Sequence, residues 1–159
     1  MSDRKSAMQT SRPARGAVRT ILLAWLVAGT LDILVAVTYY PLTAHITVIS
    51  LLQGIASGLL GARAFAGGVG TAVLGLACHY FIALVWTLVF FVAFPRLKFL
   101  ARNLIVTGLA YGVFVGLVMN LIVVPLSRTP KGPFSLSHFL IAIFILLFTI
   151  GLPIAAIVG

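Results

Sequence analysis

The chain has 159 residues, 62% of them apolar and only 8% charged, and its mean hydropathy is +1.21. Soluble domains run near half apolar and about a quarter charged, so a soluble enzyme, a disordered tail and a secreted disulfide scaffold are excluded. Eleven Lys and Arg stand against two acids, Asp3 and Asp32, for a net charge of +9. The bases fall in short clusters between long apolar runs, so the partner they imply is a lipid bilayer rather than nucleic acid.

Met1–Thr20 reads as a basic cytoplasmic tail carrying Arg4, Lys5, Arg12, Arg15 and Arg19. The first span is Ile21–Tyr40, stopped by Pro41. Its apolar stretch is about twice the length of a signal-peptide h-region and no small-x-small cleavage pattern follows, so it is expected to stay as a signal anchor. Ile46–Leu60 comes next, with Ser50, Gln53, Gly54, Ser57, Gly58 and Gly61 on one side and Leu51, Leu52, Ile55 and Leu59 on the other. At 1.5 Å per residue it is about 22 Å long, short for a span, and reads as an amphipathic or re-entrant helix. The second span is Val69–Phe94, stopped by Pro95, and the third is Leu104–Leu126, ended by Pro125. Phe139–Val158 is the fourth, with a kink expected at Pro153.

Charge distribution orients the chain. With four spans and the N-terminus in the cytoplasm, eight basic residues lie inside and Arg63, Arg128 and Lys131 outside. Making Ile46–Leu60 a span would move Arg96, Lys98 and Arg102 outside but bring Arg63, Arg128 and Lys131 inside, so the count stays eight against three and the bias does not separate the two arrangements. Because Ile46–Leu60 is short for a span, the expected fold is an all-α integral membrane protein: four transmembrane helices in a single domain, 21–159, plus a short helix in the first outer loop. The expected setting is the bacterial inner membrane, with both termini cytoplasmic. Trp25, Tyr39, Tyr40, Phe94 and Phe99 are placed as interfacial aromatics.

Rows of small residues mark close helix contacts in lipid. The first span carries Ala24, Ala28, Asp32 and Ala36, and the second Gly68, Ala72, Gly75, His79 and Ala83. The third carries Gly108, Gly112, Gly116 and Asn120, while the fourth shows little of this and is expected to face lipid. Each of the three rows contains one strongly polar residue. Counted from the outer end, Asp32 falls about 12 Å deep, His79 about 15 Å and Asn120 about 9 Å, so the three converge in depth. Gln53 would join them if the short helix dips inward.

A carboxylate near the bilayer centre costs at least about 2.5 kcal/mol on insertion scales, so Asp32 must be protonated, paired or hydrated. His79 is the expected partner, Asn120 is able to bridge the two, and Arg63 is a second candidate. The plain alternative is that Asp32, His79, Asn120 and Gln53 hold helices together, at about 0.6–2 kcal/mol per interhelical bond. The single cysteine, Cys78, permits neither an intrachain disulfide nor paired-thiol redox chemistry. His45 and His138 lie near the outer surface while His79 lies well inside, so no two face each other at one level for haem, and no cofactor is expected.

Gly29-Thr30-Leu31-Asp32, the run from Leu52 to Gly61 with Phe65 and Gly67-Gly68, and Met119-Asn120 with Val123 to Ser127 resemble a family of small four-span bacterial inner-membrane proteins. The resemblance covers roughly Ile21–Ser127. It implies the bacterial membrane setting and weight on the Asp32, Gln53 and Asn120 segments, but no activity, substrate or cofactor. Two roles remain open. One is a structural or accessory subunit, assembling with itself or another membrane protein through its glycine-rich faces. The other is an oligomeric transporter or channel that uses the Asp32–His79 pair for proton or cation coupling. No paired carboxylates, nucleophile triad or metal-spaced ligands appear, which sets an enzyme behind both.

Overall fold

The computed structural model describes residues 12–96, 103–133 and 135–159. Arg4, Lys5, Lys98, Phe99 and Arg102 lie outside them. The described chain is helical throughout its ordered elements, with no strand among these residues. We number the helices α1 (Arg12–Ala44), α2 (Val48–Leu60), α3 (Gly68–Ala93), α4 (Leu104–Leu126) and α5 (Leu136–Val158). Polar side chains at the starts supply the missing acceptors: Thr47 accepts from the Ser50 N–H, Asn103 from Ile105 and Val106, and Ser135 from His138. Reversals use left-handed backbone at His45 (φ 53°), Gly61 (φ 63°) and Gly68 (φ 56°).

Several boundaries differ from those expected; the fourth span begins at Leu136 rather than Phe139, and the short helix at Val48 rather than Ile46. The first helix begins at Arg12, inside the expected tail, and passes through Pro41 to Ala44. Proline forfeits one backbone bond but need not end a helix when its neighbours continue it. Hydroxyls of Thr38 and Thr43 bond the Leu34 and Tyr39 carbonyls across this region. The short helix runs directly into a 3-10 segment, Gly61–Ala66. Together they make a 19-residue helical stretch, Val48–Ala66, with mean hydropathy 1.4. Five helices are thus long and apolar enough to cross a membrane, so four spans plus a short helix does not follow from length and composition.

Pro125 and Pro153 do not simply end or bend their helices. Each follows a π-helical turn, Met119–Val123 in α4 and Leu147–Gly151 in α5. The residue before each proline reaches five back, Val124 N–H to Met119 and Leu152 N–H to Leu147. The wider turn takes up the register change around the carbonyl that each proline leaves without a donor.

Helix directions follow from their contacts. Gly108 meets Leu152, Gly112 meets Leu147 and Gly116 meets Ile143, so α4 and α5 are antiparallel. Phe90 meets Tyr111 edge to face, and Trp86 meets Tyr111 and Phe114 in the same way, which sets α3 antiparallel to α4. Asp32 meets Thr149, and one turn earlier Ala28 joins the core of Ile150, Ile154, Trp86 and Phe90, setting α1 antiparallel to α5. Hence α1 and α3 are antiparallel to each other, and residues 45–67 leave and return at one end of the bundle. We call that end apical and the end bearing Gly159 basal.

The third-span glycines face α5 closely. A Cβ on Gly112 would lie 2.6 Å from the Leu147 Cα, and one on Gly151 would overlap the Gly108 carbonyl. This corrects the expectation of a fourth span turned mainly to lipid. Leu140, Phe144 and Phe148 are exposed on one face, but Thr149, Ile150, Gly151, Ile154 and Ala155 are buried on the other. Gly75 in α3 receives the backbone of Leu52 in α2 in the same way. Gly112→Ala should lower stability by about 1–3 kcal/mol, because backbone stands where the methyl must go. Gly70, with open space around it, should accept alanine with no loss or a gain of up to about 1 kcal/mol. Thermal unfolding in one detergent checks the pair; equal melting points would contradict the close α4–α5 contact.

Candidate functional site

The rows of small residues bring α1, α3 and α5 close enough for short side chains to meet across them. Ala24 and Ala28 are fully buried on α1, and Ala72 and Ala83 are nearly so on α3. One turn beyond Ala28, the Asp32 carboxylate accepts a hydrogen bond from the Thr149 hydroxyl at 2.6 Å, through Oδ1. Its other oxygen stands 4.0 Å from His79 Nδ1, an ion-pair separation that is too long for a hydrogen bond. His79 Nε2 lies 2.8 Å from the Gly29 carbonyl, one turn before Asp32 on the same helix.

This geometry fixes part of the proton inventory. A carbonyl only accepts, so Nε2 carries a hydrogen and Nδ1 is the nitrogen left to face Asp32. A further proton can reside on Nδ1 or on the carboxyl, and either placement leaves the pair neutral overall. Without it the pair carries one negative charge. Thr149 serves both states. Its hydroxyl lies 2.6 Å from Asp32 Oδ1 and 3.0 Å from the Ile145 carbonyl, so it can donate to a carboxylate or accept from a carboxylic acid while donating to Ile145.

Asp32, His79 and Asn120 line one cavity of about 260 Å³, with Ala36, Ile82, Trp86, Met119, Val124, Ile145 and Leu146 among its walls. The three residues expected to converge in depth therefore share a space. Asn120 does not bridge the pair, however, because its amide donates to Gly116 in its own helix at 2.9 Å. Gln53 is elsewhere. It is buried, donates to the Gly68 carbonyl at 2.9 Å and the Thr71 hydroxyl at 3.4 Å, and thereby ties α2 to the first turn of α3. Arg63 is exposed on the 3-10 segment, and the ion-pair partner that Asp32 has among the described residues is His79. His45 and His138 are exposed at the apical end. Trp25, expected at an interface, donates its indole N–H to the Tyr80 carbonyl of α3 at 2.7 Å.

The packing residues are in contact within the chain: Gly108, Gly112 and Gly116 against α5, Gly75 against α2, and Ala28 in the core. Sequence reasoning missed Thr149. Its signal was present, since Thr149 is the one hydroxyl residue in the apolar run Phe139–Val158 and stands two positions from Gly151. No family model, curated protein or solved structure matches the chain, so roles here rest on geometry.

Thr149→Val removes the hydroxyl from Asp32 and should cost about 1–3 kcal/mol, whereas Thr149→Ser should keep most of it. Melting points in lipid nanodiscs check this. Equal losses for the two variants would assign the effect to packing.

Proposed function

We propose that the chain is a four-span membrane protein that moves protons or cations, acting as an oligomeric transporter or channel through its Asp32–His79 pair. The observation that carries this reading is a carboxyl and an imidazole lining one partly open cavity, with a hydroxyl placed to serve both protonation states. Intramembrane acids are costly and are generally functional, and a purely structural bond would not require an adjoining cavity. The accessory-subunit reading drew on the glycine-rich faces, and those faces are occupied by the chain's own helices. Asp32→Asn should fold, since the amide can accept from Thr149 and donate to Nδ1 of His79. It should abolish pH-dependent flux in proteoliposomes; flux that keeps its pH dependence in this variant would overturn the proposal.

The four-span topology is part of the same proposal, with the bacterial inner membrane as the setting and both termini in the cytoplasm. Its support is the antiparallel pairing of α1 and α3, which calls for residues 45–67 to begin and end on one side; the excess of eight basic residues over three orients the N-terminus inward. On this reading Val48–Ala66 lies across the apical end, despite having the length of a span. Cysteines at His45 and Arg63 in a Cys78→Ser background should react with a membrane-impermeant maleimide from the same face. Labelling from opposite faces would establish five spans instead.

A further inference from the structure

A second cavity, of about 540 Å³, adjoins the first. Tyr40, Leu51, Ile55, Ile82, Met119 and Val124 are walls of both. The two spaces lie side by side, one reaching Ser50, Ser127 and Thr129 at the apical end and the other Asp32 and His79, with apolar walls between. Ile46, Phe65, Val123 and Val124 border the larger one and are exposed on the apolar perimeter, which gives it a side facing lipid. We infer that the two together are a binding site for a monovalent organic cation with a short apolar body, such as an alkylammonium. Its charged head would lie at Asp32 and its body along Ile55, Ile82 and Met119.

The inference rests on the coupling role proposed above for Asp32 and names its ligand. Three observations select the class. The inner cavity has one acid and no Lys or Arg in its walls, so a cation can take the place of the proton that the pair holds. Apolar walls offer a bare metal ion few ligands, and no group of three His, Cys, Asp or Glu gathers among the described residues. Exposed Arg63, Arg128 and Lys131 stand at the apical end, which disfavours multiply charged cations there and leaves the lipid-facing side open to a lipophilic one.

Binding is a balanced exchange. The cation pairs with the carboxylate and the proton formerly shared by Asp32 and His79 leaves to water, so the net charge of the site is unchanged. The titratable groups facing Asp32 in this cavity are His79 from α3 and Tyr40 from α1; α2, α4 and α5 add none among the described residues. The affinity should therefore rise about tenfold per pH unit while the pair holds its proton, and level off above that range.

The experiment uses the full chain in zwitterionic nanodiscs with hexyltrimethylammonium as the probe, followed by the fluorescence of Trp86, which lines the cavity, and by a pH dye in weak buffer. Saturable binding is expected, with close to one proton released per cation in the pH range where affinity rises with pH. Asp32→Asn should keep its melting point, lose at least tenfold in affinity and release no proton. His79→Gln, which can still donate to Gly29, should bind the cation with an altered pH profile. Equal binding of hexanol would show a neutral amphiphile site, and preference for hexanoate an anion site; either overturns the inference, as does unchanged binding by Asp32→Asn. Asp32-dependent proton flux that persists when no cation binds would reject the ligand and keep the coupling role. Loss of both would reject both.

Discussion

The fold is organised around the need to give one carboxyl group partners away from water. A polar group in hydrocarbon has no solvent to turn to, so its partners must come from the protein. Asp32 takes them from two different helices, Thr149 on α5 and His79 on α3. His79 in turn anchors to the Gly29 carbonyl on α1. These contacts fix α1 against both neighbours at one level and leave little freedom to slide or rotate. Tyr80 adds to the same seam through Trp25 and Thr30. Apolar packing alone would specify this poorly, because lipid tails are as apolar as the side chains they would replace.

The two π-helical turns belong to this arrangement. One contains Asn120 and ends beside Pro125; the other contains Thr149 and ends beside Pro153. A π turn shifts the register of the residues after it, so side chains before and after it no longer share one regular face. In α5 this allows Gly151 to lie against Gly108 while Thr149, two residues earlier, reaches Asp32. Proline therefore acts here less as a stop than as the cause of a local widening.

Much of this was legible in composition and spacing. The helical class follows from apolar runs of bilayer length, and the rows of Gly and Ala named the packed faces because close approach in lipid demands small residues. The shared position of Asp32, His79 and Asn120 followed from depth along the helix. Other features were not accessible in this way. Whether Asn120 turns to the carboxyl or to its own Gly116 is a matter of rotamer, on which spacing is silent. The run through Pro41 depends on what the following residues do, and the 3-10 extension after Leu60 depends on a left-handed Gly61. Gln53 was placed with the polar group because it lies on the polar side of its helix. That side faces the start of α3, and only the crossing of α2 over Gly75 reveals it.

The cavity and the polar site have a common cause. Along α4 the glycines at 108, 112 and 116 hold α5 at backbone contact, and the row then ends at Asn120. Along α1, Ala24 and Ala28 are fully buried, and the row passes Asp32 and Ala36 before reaching Tyr40. Helices held together at their basal halves by small residues must separate where larger ones begin. The separation opens toward the apical end, just beyond the level of Asp32, where Met119, Tyr40 and Ile82 leave space between them. The polar residues thus stand at the point where tight packing gives way to volume. A carboxyl placed lower would be sealed among alanines, and one placed higher would lie nearer the apical end. At position 32 it has protein partners on one side and a partly open cavity on the other.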